Sequence, residues 1–91
     1  MANNSFPKDP DAVKDYHFDL RAWLGEDTIE SYTLTPSPGL VIDSHSEAAN
    51  VITLWVSAGT NDTTATVRCR MVSAAGRRDD FVMYFNVRDS A

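Results

Sequence analysis

Apolar and polar side chains alternate with period two along much of this chain, most clearly near its end. Ala65, Val67, Cys69 and Met71 alternate with Thr66, Arg68 and Arg70. After the turn-like run Ala74-Ala75-Gly76-Arg77-Arg78-Asp79, the alternation resumes at Phe81, Met83, Phe85 and Val87. Successive side chains of a strand point to opposite faces, so this pattern predicts a hairpin of two half-buried antiparallel strands. Tyr16, Phe18 and Leu20 alternate with His17, Asp19 and Arg21, which predicts a first strand. Trp23-Leu24-Gly25-Glu26-Asp27 then reads as a turn carrying a hydrophobic plug. Thr28–Thr35, rich in Thr, Ile and Tyr, reads as a second strand. Pro36-Ser37-Pro38-Gly39 ends it, because neither proline can donate to a ladder.

Leu40–Ser44 reads as a short third strand and Ser44–Asn50 as a polar connection. Val51–Val56 is a fourth strand, with Ile52, Leu54 and Val56 on one face and Val51, Thr53 and Trp55 on the other. Apolar groups on both of its faces predict that the second face is partly covered too. Gly59 and Asn61-Asp62 mark the turn before the last hairpin. Six or so short strands, frequent turns and no helical periodicity predict an all-β fold, an antiparallel β-sandwich of about six to seven strands. Ninety-one residues make one domain. Residues 1–15 are polar, hold Pro7 and Pro10, and read as an extended N-terminal arm with Phe6 as its aromatic anchor; residues 16–91 form the sandwich. Such an arm folds onto its own domain or reaches a neighbour.

The net charge of −5 argues against nucleic acid and against an anionic membrane surface as partners, since both require a basic face. Cys69 is the single cysteine, so no intrachain disulfide is expected. Its inward register makes it a core thiol, and a disulfide-free small domain fits folding in a reducing cytoplasm. No apolar run is long enough to span a bilayer, and the N-terminus lacks the basic and apolar regions of a secretory signal. The sequons Asn3-Asn4-Ser5 and Asn61-Asp62-Thr63 therefore read as chance matches.

Candidate chemistry is sparse. His17 and His45 lie on different elements without a third ligand at metal spacing, so no metal site is expected. Asp9-x-Asp11 lacks the glycine and closing glutamate of a calcium loop. There is no nucleophile elbow and no glycine-rich phosphate loop, so neither catalysis nor a cofactor is expected. Arg77-Arg78-Asp79-Asp80 reads as a hairpin tip with local charge pairing or an interface contact. Trp55 and Tyr84 fall in the outward register, as do Arg68 and Arg70, and aromatic and arginine side chains dominate binding hot spots. The candidate protein-interface residues are thus Phe6, Trp55, Arg68, Arg70, Arg77, Arg78 and Tyr84.

Several segments taken in order carry a family likeness. They are Asp9-Pro10-Asp11-Ala12-Val13-Lys14-Asp15-Tyr16, Trp23-Leu24 with Glu26-Asp27-Thr28-Ile29, Gly39-Leu40-Val41-Ile42-Asp43-Ser44, Val51–Val56 with Gly59-Thr60, and Gly76-Arg77-Arg78-Asp79-Asp80. Over residues 7–88 the chain resembles the small Ig-like virion proteins of tailed bacteriophages, which serve as fibre-to-tail adaptors or general structural proteins. The resemblance implies an Ig-like sandwich and a non-enzymatic particle component that joins tail or neck to fibre or decorates the capsid. It brings no catalytic residues. One departure from the wider Ig pattern is the absent tyrosine corner: the position two before Cys69 is Val67. The implied partners are other virion proteins, with copies of the chain itself in a symmetric oligomer as a further expectation, because weak contacts gain strength by repetition. The implied location is the virion, after folding in the host cytoplasm. The alternative reading is a carbohydrate-binding or adhesin-type Ig module acting on the host surface, which requires exposed aromatics in a row.

Overall fold

The computed structural model describes residues 5–89. The first four residues of the expected arm, and with them the sequon beginning at Asn3, lie outside the described residues. Within them the chain forms seven strands and one helical turn: β1 (Ser5–Lys8), β2 (Lys14–Asp19), α1 (Arg21–Leu24), β3 (Ile29–Pro36), β4 (Leu40–Ala48), β5 (Val51–Ala58), β6 (Thr63–Ser73) and β7 (Arg78–Val87).

The strands make two sheets, one ordered β1-β7-β6-β3 and the other β2-β5-β4. All pairings are antiparallel except β1 with β7, which is parallel. The inward rows predicted by period two meet between the sheets: Tyr16, Phe18, Ile52, Leu54 and Val56 from one, Ala65, Val67, Cys69, Met71, Met83, Phe85 and Val87 from the other. Cys69 is fully buried, and burial pushes its thiol up to about 11, with Asp80 adding to the shift. The thiolate is the reactive form, so this cysteine is inert core.

Three details differ from the sequence reading. The expected polar connection Ser44–Asn50 is mostly strand: β4 runs to Ala48 and a two-residue turn at Ala49 and Asn50 joins it to β5, both residues with positive φ. Such a turn matches strand twist and normally carries glycine, which is missing here. Asn50 compensates by bonding outward. Its side chain donates to the Asp27 carbonyl at 3.0 Å and accepts from the Ile29 amide at 3.3 Å. Second, Asp79 and Asp80 lie within β7, opposite Met71 and Arg70, not at the hairpin tip; the turn lies before Arg78. Third, the plug around Trp23 contains the helical turn Arg21–Leu24, closed where Gly25 takes φ 61° and its amide reaches the Arg21 carbonyl at 3.0 Å.

Residues 5–15 supply β1 and the start of β2. The Lys8 side chain is buried, and its amine donates to the carbonyls of Asp9 (3.0 Å), Ala12 (2.9 Å) and Ala58 (2.6 Å). All three ammonium protons are used. This knot ties the segment after β1 to the end of β5. Burial lowers the Lys8 pKa against the opposing pull of Asp9.

Candidate protein interface

The two outer faces of the sandwich carry most of the candidate residues, and strand register arranges them in cross-strand rungs. On the outside of the four-stranded sheet, Val82, Arg68 and Thr35 form one rung; Asp80, Arg70 and Thr33 the next; Arg78, Val72 and Ser31 a third. On the other side of the Arg68 rung, Ser5, Tyr84 and Thr66 form a fourth. Tyr84 is 41% exposed, a large amount for an aromatic side chain. Arg70 pairs with Asp80 through Nε and Oδ1 at 3.1 Å, and this bond holds the Asp80 carboxyl below its usual range. Arg68 and Arg78 make no ion pair within 4 Å among the described residues. The face is open: Thr33, Thr35, Thr66, Arg68 and Arg70 border a shallow depression of about 370 Å³.

The outside of the three-stranded sheet is different in charge. Asp15, Trp55 and Ser44 form one rung, His17, Thr53 and Ser46 the next, Asp19, Val51 and Ala48 the third. Trp55 is 44% exposed. The Asp15 carboxylate sits 3.3 Å from His17 Nε2. Asp19 accepts two bonds from the Arg21 guanidinium, at 2.6 and 2.9 Å, and is lowered to about 2 by them. The acidic row of β2 was not among the candidates drawn from sequence, although its period-two polar positions mark it as outward.

Two candidates are engaged within the fold, Phe6 partly buried and Arg77 still exposed. Phe6 turns inward, its ring 5.2 Å from that of Tyr16 and 6.0 Å from that of Phe85. Arg77 is engaged at the end of the sandwich. Its guanidinium lies 4.4 Å over the Trp23 ring, donates to the carbonyls of Trp23 (3.3 Å) and Leu24 (2.9 Å), and meets Asp27 Oδ2 at 3.2 Å. Trp23 in turn packs edge-on against Phe81 at 5.5 Å. Asp27 is lowered to about 2, first by the Ser73 hydroxyl, then by the amides of Thr28 and Ala75 and by Arg77. These groups hold the β6–β7 turn against the chain before β3. The partner of Arg77 lies 50 residues away, so it could not be read locally.

The arrangement therefore offers surfaces for recognition. Trp55 and Tyr84 lie on opposite faces and do not form an aromatic row. No group of three or more His, Cys, Asp or Glu residues suited to a metal occurs among the described residues. Among the described residues, no helix is long and apolar enough to cross a membrane.

A family model described as "Podophage GP4 fiber-tail adaptor protein gp77" matches residues 8–86, nearly the whole sandwich. No curated protein matches the chain.

Proposed function

We propose that this chain, which belongs to the podophage GP4 fibre-tail adaptor family, acts as a non-enzymatic Ig-like module that links the phage tail to its fibres. The family match, which spans residues 8–86, carries this reading. The strand orders β7-β6-β3 and β2-β5-β4 support the Ig-like assignment, for they follow the G-F-C and B-E-D orders of that sandwich. The docking groups are Arg68, Arg70, Arg78 and Tyr84 on one face and Trp55 on the other. An adaptor must hold two bodies at once, and a slab with two chemically different faces can do so. The chain folds in the host cytoplasm and joins the particle during assembly.

Cryo-electron microscopy of particles made with and without this protein tests the proposal. The expected result is sandwich density between tail and fibre in the first and tails without fibres in the second. Normal fibres on particles lacking the protein, or sandwich density confined to the capsid shell, would overturn it.

A further inference from the structure

The outer faces of this slab match each other. Along β6 and β7 the rungs run Arg68, then the Arg70–Asp80 pair, then Arg78. Along β2 the outward positions run Asp15, His17, Asp19. The Arg68 and Arg78 rungs are separated by four residues of β6, since Arg78 stands opposite Val72. Asp15 and Asp19 are also four residues apart, so both spacings are about 13 Å at the strand rise of about 3.3 Å per residue. Arginine, ion pair, arginine on one face thus meets two carboxylates on the other, Asp15 at 3.3 Å from His17 and Asp19 bridged to Arg21 at 2.6 Å; a carboxylate can accept from more than one cation, so each keeps room for an incoming arginine. Trp55 shares the Asp15 rung, which sets its exposed ring against Arg68 and Val82 when the rungs are superposed.

We propose that a second copy of this chain docks on the first, the outer face of its β2-β5-β4 sheet seated on the outer face of the β1-β7-β6-β3 sheet. Face meeting like face is less favoured, because Arg68 and Arg78, which make no ion pair among the described residues, then meet further arginines and gain only the already paired Asp80 as an opposite charge. The contact is therefore heterologous. It repeats from copy to copy, and it closes into a ring or continues as a stack. The slab measures 42 × 25 × 19 Å, so a broad face can supply the roughly 800 Å² per partner that stable interfaces bury. Such stacking uses the same two faces as the docking groups named above, so within a stack only the two end copies present those faces to tail and fibre; an adaptor that stays monomeric overturns this inference and leaves that reading intact.

Charge exchange tests it with the full chain. Variant one carries Arg68→Glu and Arg78→Glu; variant two carries Asp15→Lys and Asp19→Lys. All four positions are exposed, and circular dichroism checks that each variant is folded. Sedimentation velocity at low salt should show concentration-dependent association of the wild type that high salt reverses. Each variant alone should associate at least about tenfold more weakly, while their equimolar mixture should regain association, since each reversed face then finds its opposite. Trp55→Ala, which alters no charge, should weaken the wild-type contact by about tenfold or more. A wild type that remains monomeric at about 1 mM, the weak limit of a measurable contact, overturns the proposal. So does undiminished association of either charge variant, or a mixture that stays monomeric.

Discussion

Arg77 and Arg78 are adjacent in the chain and belong to different regions of the molecule. Arg77 lies over Trp23, holds two carbonyls and an aspartate, and closes the end of the sandwich. Arg78 stands on the open sheet face in line with Arg70 and Arg68. The end region is a mixed junction in which charge, ring and backbone caps satisfy one another. The face is a row of arginines with one aspartate among them. Charge in the first region is consumed by folding; in the second, Arg68 and Arg78 stay exposed without an ion pair among the described residues. Where a charged side chain leaves the strand decides between these uses, and residue type does not.

The sharpest way to break this comparison is to truncate both arginines. Arg77→Ala removes the caps on Trp23 and Leu24 and leaves Asp27, largely enclosed, without its cation. The melting temperature should fall by about 10 °C, as expected for losing several coupled contacts in a domain of this size. Arg78→Ala should stay within about 2 °C of the wild type, because exposed substitutions of this kind change stability little. Equal losses in thermal unfolding would mean that both arginines serve the fold.

Acid provides a second and smaller test. The folded-state pKa of Asp27 is depressed to about 2 from an ordinary value near 3.8. Its stabilising contribution is therefore fully present above about pH 4 and is lost as the pH falls toward 2. Asp27→Asn cannot ionise, so the melting temperature of that variant should start lower at pH 7 and change less between pH 4 and pH 2. Asp19 is depressed to a similar value, but by an exposed arginine two residues away. Arg21→Ala should therefore leave most of the acid sensitivity in place. If Arg21→Ala removes it instead, the acid response belongs to the surface and not to the junction.

The same contrast between local and distant contacts governs what the sequence could disclose. The core strands were legible because each repeats its apolar position often enough to be recognised: four inward residues in β6, four in β7, three in β5. The resemblance to phage adaptor proteins was legible from short segments in order. The turn at Ala49 and Asn50 was hidden, because the expected glycine is replaced by an asparagine bonded to another loop. The second half of β4, from His45 to Ala48, was hidden because it is an edge strand with polar residues on both faces, which reads as loop. β1 has only four residues and a proline, too few to show a period; its position depends on Lys8 reaching Ala58. Of the candidate interface residues, the outward register of Trp55, Arg68, Arg70 and Tyr84 followed from alternation. Arg77 is held at the end of the sandwich by Asp27 and Phe6 is turned inward against Tyr16, partners that no local pattern names.

The smallest expected effect is the most discriminating for the open face. Arg70 and Asp80 make a visible pair at 3.1 Å, yet both side chains are well exposed. Exposed pairs gain little, since water screens the attraction and two flexible chains must be ordered to keep it. Arg70→Ala and Asp80→Ala should each shift the melting temperature by no more than about 2 °C. Their effects on self-association should have opposite signs. Losing Arg70 weakens a cationic face, whereas losing Asp80 removes the one carboxylate among three arginines and frees Arg70 for an acidic partner. Sedimentation of the two variants beside the wild type checks the signs. If both weaken association equally, the pair itself is the recognised feature and the row of arginines is not.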